Sequence, residues 1–225
     1  MRCSTEVGFG AHEFPGHLPR WEHRLAGPDA AEVAVEHVTA AVGKPYALLL
    51  VRHAMPALNP EVAPERWELD TAGRRGAESL THVLPPDAVL VSSQEPKARQ
   101  TLEPTGPVAT DHRFNEVARN EPHDGDFRRR RRAYLAGADH PKWEPREQVV
   151  ARFHAGIKHW RPPAAARPLV VATHGMAMTL WLAAAVDLAD PISFWDDLRL
   201  PDVFAVDPAG RTVERVDSGL LYQLR

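Results

Sequence analysis

Three short segments hold residue types that can bind an anion and react beside it: Arg52-His53-Ala54, Ser92-Ser93 and Thr173-His174-Gly175. Arginine presents a planar fork of N–H donors that matches phosphate or carboxylate oxygens. A helix opening near Gly175 would add backbone N–H groups and a favourable dipole. A single histidine at the end of a strand is more often a hydrogen-bonded structural residue than a reactive one. Two of them, His53 and His174, lie far apart in the chain and can share a crevice only through the fold.

Each segment directly follows a short apolar run: Tyr46 to Val51, Ala88 to Val91, and Leu169 to Ala172. These runs have strand length and are too continuous for a sheet with one wet face, so they predict buried parallel strands. Between them lie helical patterns at Thr71 to Val83, Lys97 to Leu102, Glu147 to Trp160 and Met176 to Val186. That alternation predicts an α/β sheet with helices on both faces. In such sheets a ligand binds beyond the carboxyl ends of the strands, which is where the three reactive segments fall. Val203 to Val206, the turn Asp207-Pro208-Ala209-Gly210, and Thr212 to Val216 read as a hairpin. Residues 1 to 28 show no period. Asp29 to Val42 predicts an amphipathic helix, capped by Asp29 and stopped by Gly43 and Pro45. We therefore expect an N-terminal arm and helix over 1–45 and one domain over 46–225.

The 225 residues are 44% hydrophobic and 25% charged, enough to bury a substantial core. Lys+Arg 27 against Asp+Glu 30 leaves a net charge of −3, which argues against a surface built for nucleic acid or anionic membrane. The lone Cys3 excludes an internal disulfide and a cysteine-based zinc cluster. No run has the length of a membrane span and the first residues lack a signal-peptide core, so a cytoplasmic protein is expected. No dinucleotide glycine motif, phosphate-binding lysine loop or zinc-protease motif is present. His12, His17 and His23 match no ligand spacing. Arg128 to Arg132 cannot share one helix face, so a solvated helix is the simple expectation. Trp181, Phe194, Trp195 and Phe204 are expected in the core.

The motifs resemble those of the histidine phosphatase superfamily, also called phosphoglycerate mutase-like. Arg52-His53-Ala54 resembles its Arg-His-Gly, in the R-H-A form of small phosphatase branches with Pro56 following, and Asn59 falls on the asparagine of the longer motif. LDTAGRRGA, with Leu69 and Gly73, is similar to L-T-x-x-G-x-x-Q-A, from which Asp70 and Gly76 depart. Ser92-Ser93 with Ala98, Gln100 and Thr101 resembles S-S-x-x-x-R-A-x-Q-T, with Lys97 in place of the arginine and Arg99 in reserve. Thr173-His174-Gly175 resembles the last motif. The resemblance covers about Tyr46 to Val216.

It implies a three-layer α/β/α sandwich with a mostly parallel central sheet. It also implies a metal-independent phosphatase, without cofactor, that hydrolyses phosphomonoesters through a phosphohistidine on His53. Arg52, Lys97, His174, Gly175 and Asn59 would hold the phosphate. The proton donor is expected at Glu116, with Glu121 second. The arginine run falls in the segment that caps the site in the family, where it would grip a second anion on the substrate. The substrate would be a phosphorylated small molecule or a phosphoprotein. Two other readings stay open: a catalytically weak member that binds a phosphorylated ligand, and a protein-phosphohistidine phosphatase. The Asp29 to Val42 helix would pack on the core or form a homodimer.

Overall fold

The computed structural model describes residues 48–121, 126–161, 167–186 and 188–216. The expected N-terminal arm and helix, and His12, His17 and His23, lie outside them. Six strands form one sheet in the order β3-β2-β4-β1-β5-β6: β1 Leu48–Arg52, β2 Val89–Ser92, β3 Ala109–Thr110, β4 Leu169–Thr173, β5 Asp202–Asp207 and β6 Thr212–Arg215. The first four are mutually parallel; β5 runs antiparallel to β1, and β6 to β5. The chain is thus mixed α/β with a mostly parallel sheet, and the hairpin extends one edge.

Alternation along the central strands divides the core. Leu48 and Leu50 of β1, with Leu169 and Val171 of β4, face Phe153, Ile157 and Trp181. These come from two helices on one side, α4 (Arg146–Trp160) and α5 (Gly175–Ala185). Leu49, Val51, Val170 and Ala172 point the other way, onto Leu80, Leu84, Ala98 and Leu102. There α2 (Pro96–Leu102) packs beside α1 (Thr71–Ser79). A strand buried on both faces has no polar side, which is why these runs read as continuous in the sequence. Trp181 stacks on Phe153 at 5.2 Å, and Phe194 lies 4.9 Å from Phe204, as core residues should.

The boundaries differ from expectation in small ways. The α1 helix ends at Ser79 and tightens into a 3-10 turn over Leu80–His82, just ahead of Pro85-Pro86, where the chain has no N–H to continue. β3 has two residues, too short for any period to announce it, and α6 (Pro191–Asp196) has six. The arginine-rich α3 (Phe127–Leu135) starts on Asp126, whose side chain accepts from Arg129 N–H at 3.3 Å. Among the described residues no helix is long and apolar enough to cross a membrane.

Candidate functional site

Sheet register assembles the site. Arg52 of β1 is level with Thr173 of β4, and Ser92 of β2 with Ala172 of β4. His53, His174 and Ser93 are the next residues along, so they leave the sheet together. Backbone bonds extend the ladder by one step, with His53 N–H donating to Thr173 O at 3.0 Å and Ser93 N–H to Ala172 O at 2.9 Å. The imidazole centroids of His53 and His174 stand 5.2 Å apart.

His53 Nδ1 lies 2.7 Å from Ala54 O. A carbonyl only accepts, so Nδ1 carries the hydrogen and Nε2 keeps its lone pair. Burial, then the second imidazole and the cationic neighbours Lys97 and Arg52, hold His53 well below the usual imidazole range, so it is neutral at pH 7. The turn that sets this geometry is itself pinned. Ala54 N–H donates to Thr101 Oγ1 at 2.9 Å, Asp70 N–H to Met55 O at 3.1 Å, and Leu69 N–H to Gln100 Oε1 at 2.8 Å. A Cβ on Gly73 would stand 2.1 Å from Met55 O, so only glycine lets α1 approach this closely.

Around the imidazoles are buried nitrogens with little else to bind. Arg52 gives one terminal N–H to Leu198 O at 2.8 Å, while its buried Nε has no hydrogen-bond partner. His174 Nε2 meets Ser93 Oγ at 2.7 Å and its buried Nδ1 has no partner. Burial, then Lys97, Arg119 and Arg152, lower the His174 pKa against the pull of Glu116. A Cβ on Gly175 would come 3.5 Å from Arg52 Nε and 3.2 Å from Trp195 Nε1, so the glycine keeps this space clear. The orphaned Arg52 N–H at the end of the sheet is a donor that fits an anion.

Of the two cations in α2, Lys97 is the one turned inward. Its Nζ donates to Pro64 O at 2.7 Å and pairs with the buried Glu95 carboxylate, whereas Arg99 is exposed and pairs with Glu103 at 3.4 Å. Residues two apart on a helix point in different directions, which decides between them. Glu116 is half-buried against the start of α5. Its carboxylate accepts from Ala177 N–H at 2.9 Å, Met176 N–H at 3.2 Å and Val117 N–H at 3.0 Å. Burial pushes its pKa up, but His174, Arg119 and the Val117 N–H outweigh it and leave the group below the usual range, hence ionised. The helix N–H groups expected to face a bound anion are thus given in part to this carboxylate.

Other expected site residues stand elsewhere. Asn59 is exposed, its side-chain oxygen engaged in a turn by Glu61 N–H at 2.9 Å. Glu121 accepts from Trp143 Nε1 at 2.8 Å and pairs with Arg130 at 3.3 Å. The arginine run is not simply solvated. Arg128 and Arg132 both reach Asp196 at 3.0 Å and Arg129 reaches Asp126 at 2.8 Å, while Arg131 lies over the Phe127 ring at 3.9 Å. Burial, then Arg119, Arg52 and Arg128, bring the Arg131 pKa down to about 10 against the pull of Glu116.

A cavity of about 640 Å³ has Pro64, Glu95, Glu116, Arg119 and Phe127 in its wall, so it meets the site at the two carboxylates and not at the histidines, Arg52 or Lys97. Glu95, Arg119 and Arg152 were not singled out from the sequence. Glu95 alone had a signal there, since it lies within the serine motif between a strand end and a helix. Among the described residues no three His, Cys, Asp or Glu side chains form a group able to hold a metal.

The family model described as histidine phosphatase superfamily (branch 1) matches residues 48–207. No curated protein matches the chain. Among solved structures, a protein from Thermus thermophilus is similar with a TM-score of 0.56 and 24% identity, over 76% of this chain and 98% of its own. The native mycobacterial glucosyl-3-phosphoglycerate phosphatase gives 0.53 and 20%, over 75% and 95%. Its complex with inorganic phosphate gives 0.53 and 21%, over 75% and 94%. At these identities the likeness is one of fold.

Proposed function

This chain belongs to the histidine phosphatase superfamily, and we propose that it hydrolyses phosphomonoesters through a phosphohistidine formed on Nε2 of His53. The observation that carries the proposal is the tautomer: Nδ1 is tied to Ala54 O at 2.7 Å, which leaves Nε2 as the free lone pair of a neutral, buried imidazole. In this reading the phosphate sits against Arg52 Nε, Lys97 and His174 Nδ1, which neutralise its oxygens as charge spreads over them. Nε2 attacks phosphorus, the bond from phosphorus to the ester oxygen breaks, and the leaving oxygen takes a proton. Water then attacks the phosphohistidine, the N–P bond breaks, and inorganic phosphate leaves.

Glu116 is the proposed carrier of that proton. Its protein surroundings keep it ionised, but a phosphate dianion arriving beside it raises its affinity for a proton. The protonated carboxyl serves the leaving oxygen and, once ionised again, takes a proton from the attacking water.

The experiment is turnover of p-nitrophenyl phosphate with a chelator present, for the wild type beside His53→Ala. We expect chelator-resistant turnover that falls about a thousand-fold or more in the variant, the scale seen when a nucleophile is removed. A wild type that binds phosphate without turnover would overturn the proposal in favour of a binding role.

A further inference from the structure

Glu95 sits at the N-terminal edge of α2, only 6% exposed. One carboxylate oxygen, Oε2, holds the Lys97 ammonium, which also donates to Pro64 O at 2.7 Å. The other oxygen, Oε1, accepts from Glu116 N–H at 2.7 Å and stands 3.2 Å from His174 Nε2. One side chain therefore touches three members of the cluster: the cation, the second imidazole and the backbone of the proton carrier.

We infer that Glu95 is a positioning residue for the phosphate site, orienting His174 and backing it as a counter-charge while anchoring Lys97 where it faces the anion. The inference rests on the phosphatase reading above. Nε2 lies between Ser93 Oγ at 2.7 Å, which can donate or accept, and the Glu95 carboxylate, which can only accept; a hydrogen on Nε2 suits both neighbours and leaves Nδ1 as the variable position of His174. Nδ1 is the buried atom with no partner. Burial and the facing cations keep that position bare. When a phosphate dianion arrives, Nδ1 takes up a proton from solvent and donates it as a hydrogen bond, with Glu95 behind the resulting imidazolium. The groups facing His174 are His53 after β1, Lys97 on α2, Glu116 and Arg119 in the segment after β3, and Arg152 on α4. Of the two carboxylates, Glu95 is the one within 4 Å of a ring nitrogen. For Lys97, a flexible four-carbon stem gains a defined direction from the ion pair, which a guanidinium fork would otherwise supply.

The test is nitrogen NMR of the imidazoles in the full chain, with and without inorganic phosphate, for the wild type, Glu95→Gln and Glu95→Asp, beside p-nitrophenyl phosphate kinetics. In the wild type, His174 keeps its Nε2 hydrogen throughout and gains one on Nδ1 when phosphate is added. In Glu95→Gln that uptake is lost, kcat falls about ten- to a hundred-fold, as when a carboxylate behind a functional histidine is removed, and the alkaline limb of the pH profile moves to lower pH. Glu95→Asp recovers part of both. Unchanged phosphate-dependent protonation of His174 in Glu95→Gln, or an unmoved alkaline limb, overturns the inference. A wild type inert towards p-nitrophenyl phosphate overturns the phosphatase reading alone, because the NMR arm still decides the role of Glu95. If the lone buried Lys97 prevents Glu95→Gln from folding, the charge-balanced Glu95→Gln/Lys97→Met is read by NMR: loss of uptake supports the inference and retained uptake overturns it.

Discussion

At the scale of single residues the site is a balance of charges held out of water. Arg52, Lys97 and Arg119 are set against Glu95 and Glu116, and both imidazoles are neutral. In the proposed mechanism the role of Glu116 depends on the leaving group. p-Nitrophenolate leaves without help, whereas an alkoxide needs a proton. Glu116→Gln is expected to cut turnover of an alkyl phosphate by about a hundred- to ten-thousand-fold, the range of general acid catalysis, and that of p-nitrophenyl phosphate far less. Parallel assays on the two substrates check this; equal losses on both would remove the proton-carrying role.

At the scale of elements, what matters is how closely the helices approach the strand ends. α1 reaches the His53 turn because Gly73 has no side chain to meet Met55 O, and α2 holds that turn through Thr101 and Gln100. Gly73→Ala would force backbone to move and is expected to cost about 2–3 kcal/mol or more. It should also misplace His53, so thermal melting and p-nitrophenyl phosphate turnover should fall together. On the opposite side Arg152 of α4 donates to Arg113 O and Asn115 O at 2.8 Å and to Glu144 at 2.7 Å, fixing the segment that carries Glu116. The motif glycine, glutamine and threonine thus act on the position of His53 without touching its ring.

For the molecule as a whole, the formal charge of −3 hides a local excess of the opposite sign. Arg128 and Arg131 from α3 join Arg119 and Arg52 near Glu116, and these like charges lower the Arg131 pKa after burial does. Such a field would draw in the anionic substrate we propose, and it is screened by salt. Raising ionic strength from about 0.02 M to about 0.5 M, which shortens the screening length to a few ångströms, is expected to raise KM several-fold with little change in kcat. Arg131→Ala should flatten that dependence. Initial-rate kinetics across salt concentration decide the point, and a KM indifferent to salt in the wild type would refute it.

The order and type of the main elements could be read along the chain because burial on both faces leaves a contiguous apolar run, and amphipathic helices leave a period. The chemistry at the strand ends was legible for the same reason: Arg52, His53, Ser93 and His174 break those runs abruptly. β3 left no pattern, since two residues carry no period, and the six residues of α6 were not read as a helix. What the tertiary structure decided were matters of direction and distance. It turned Lys97 in and Arg99 out, left Asn59 in its own turn, and drew Arg131 in from the arginine run. It set the Glu116 carboxylate on the first amides of α5 and brought Glu95 between Lys97 and His174. Residue types along a line record which groups are present. Which nitrogen is free, which cation faces inward and which carboxylate stays ionised depend on neighbours from distant parts of the chain, and only folding supplies them.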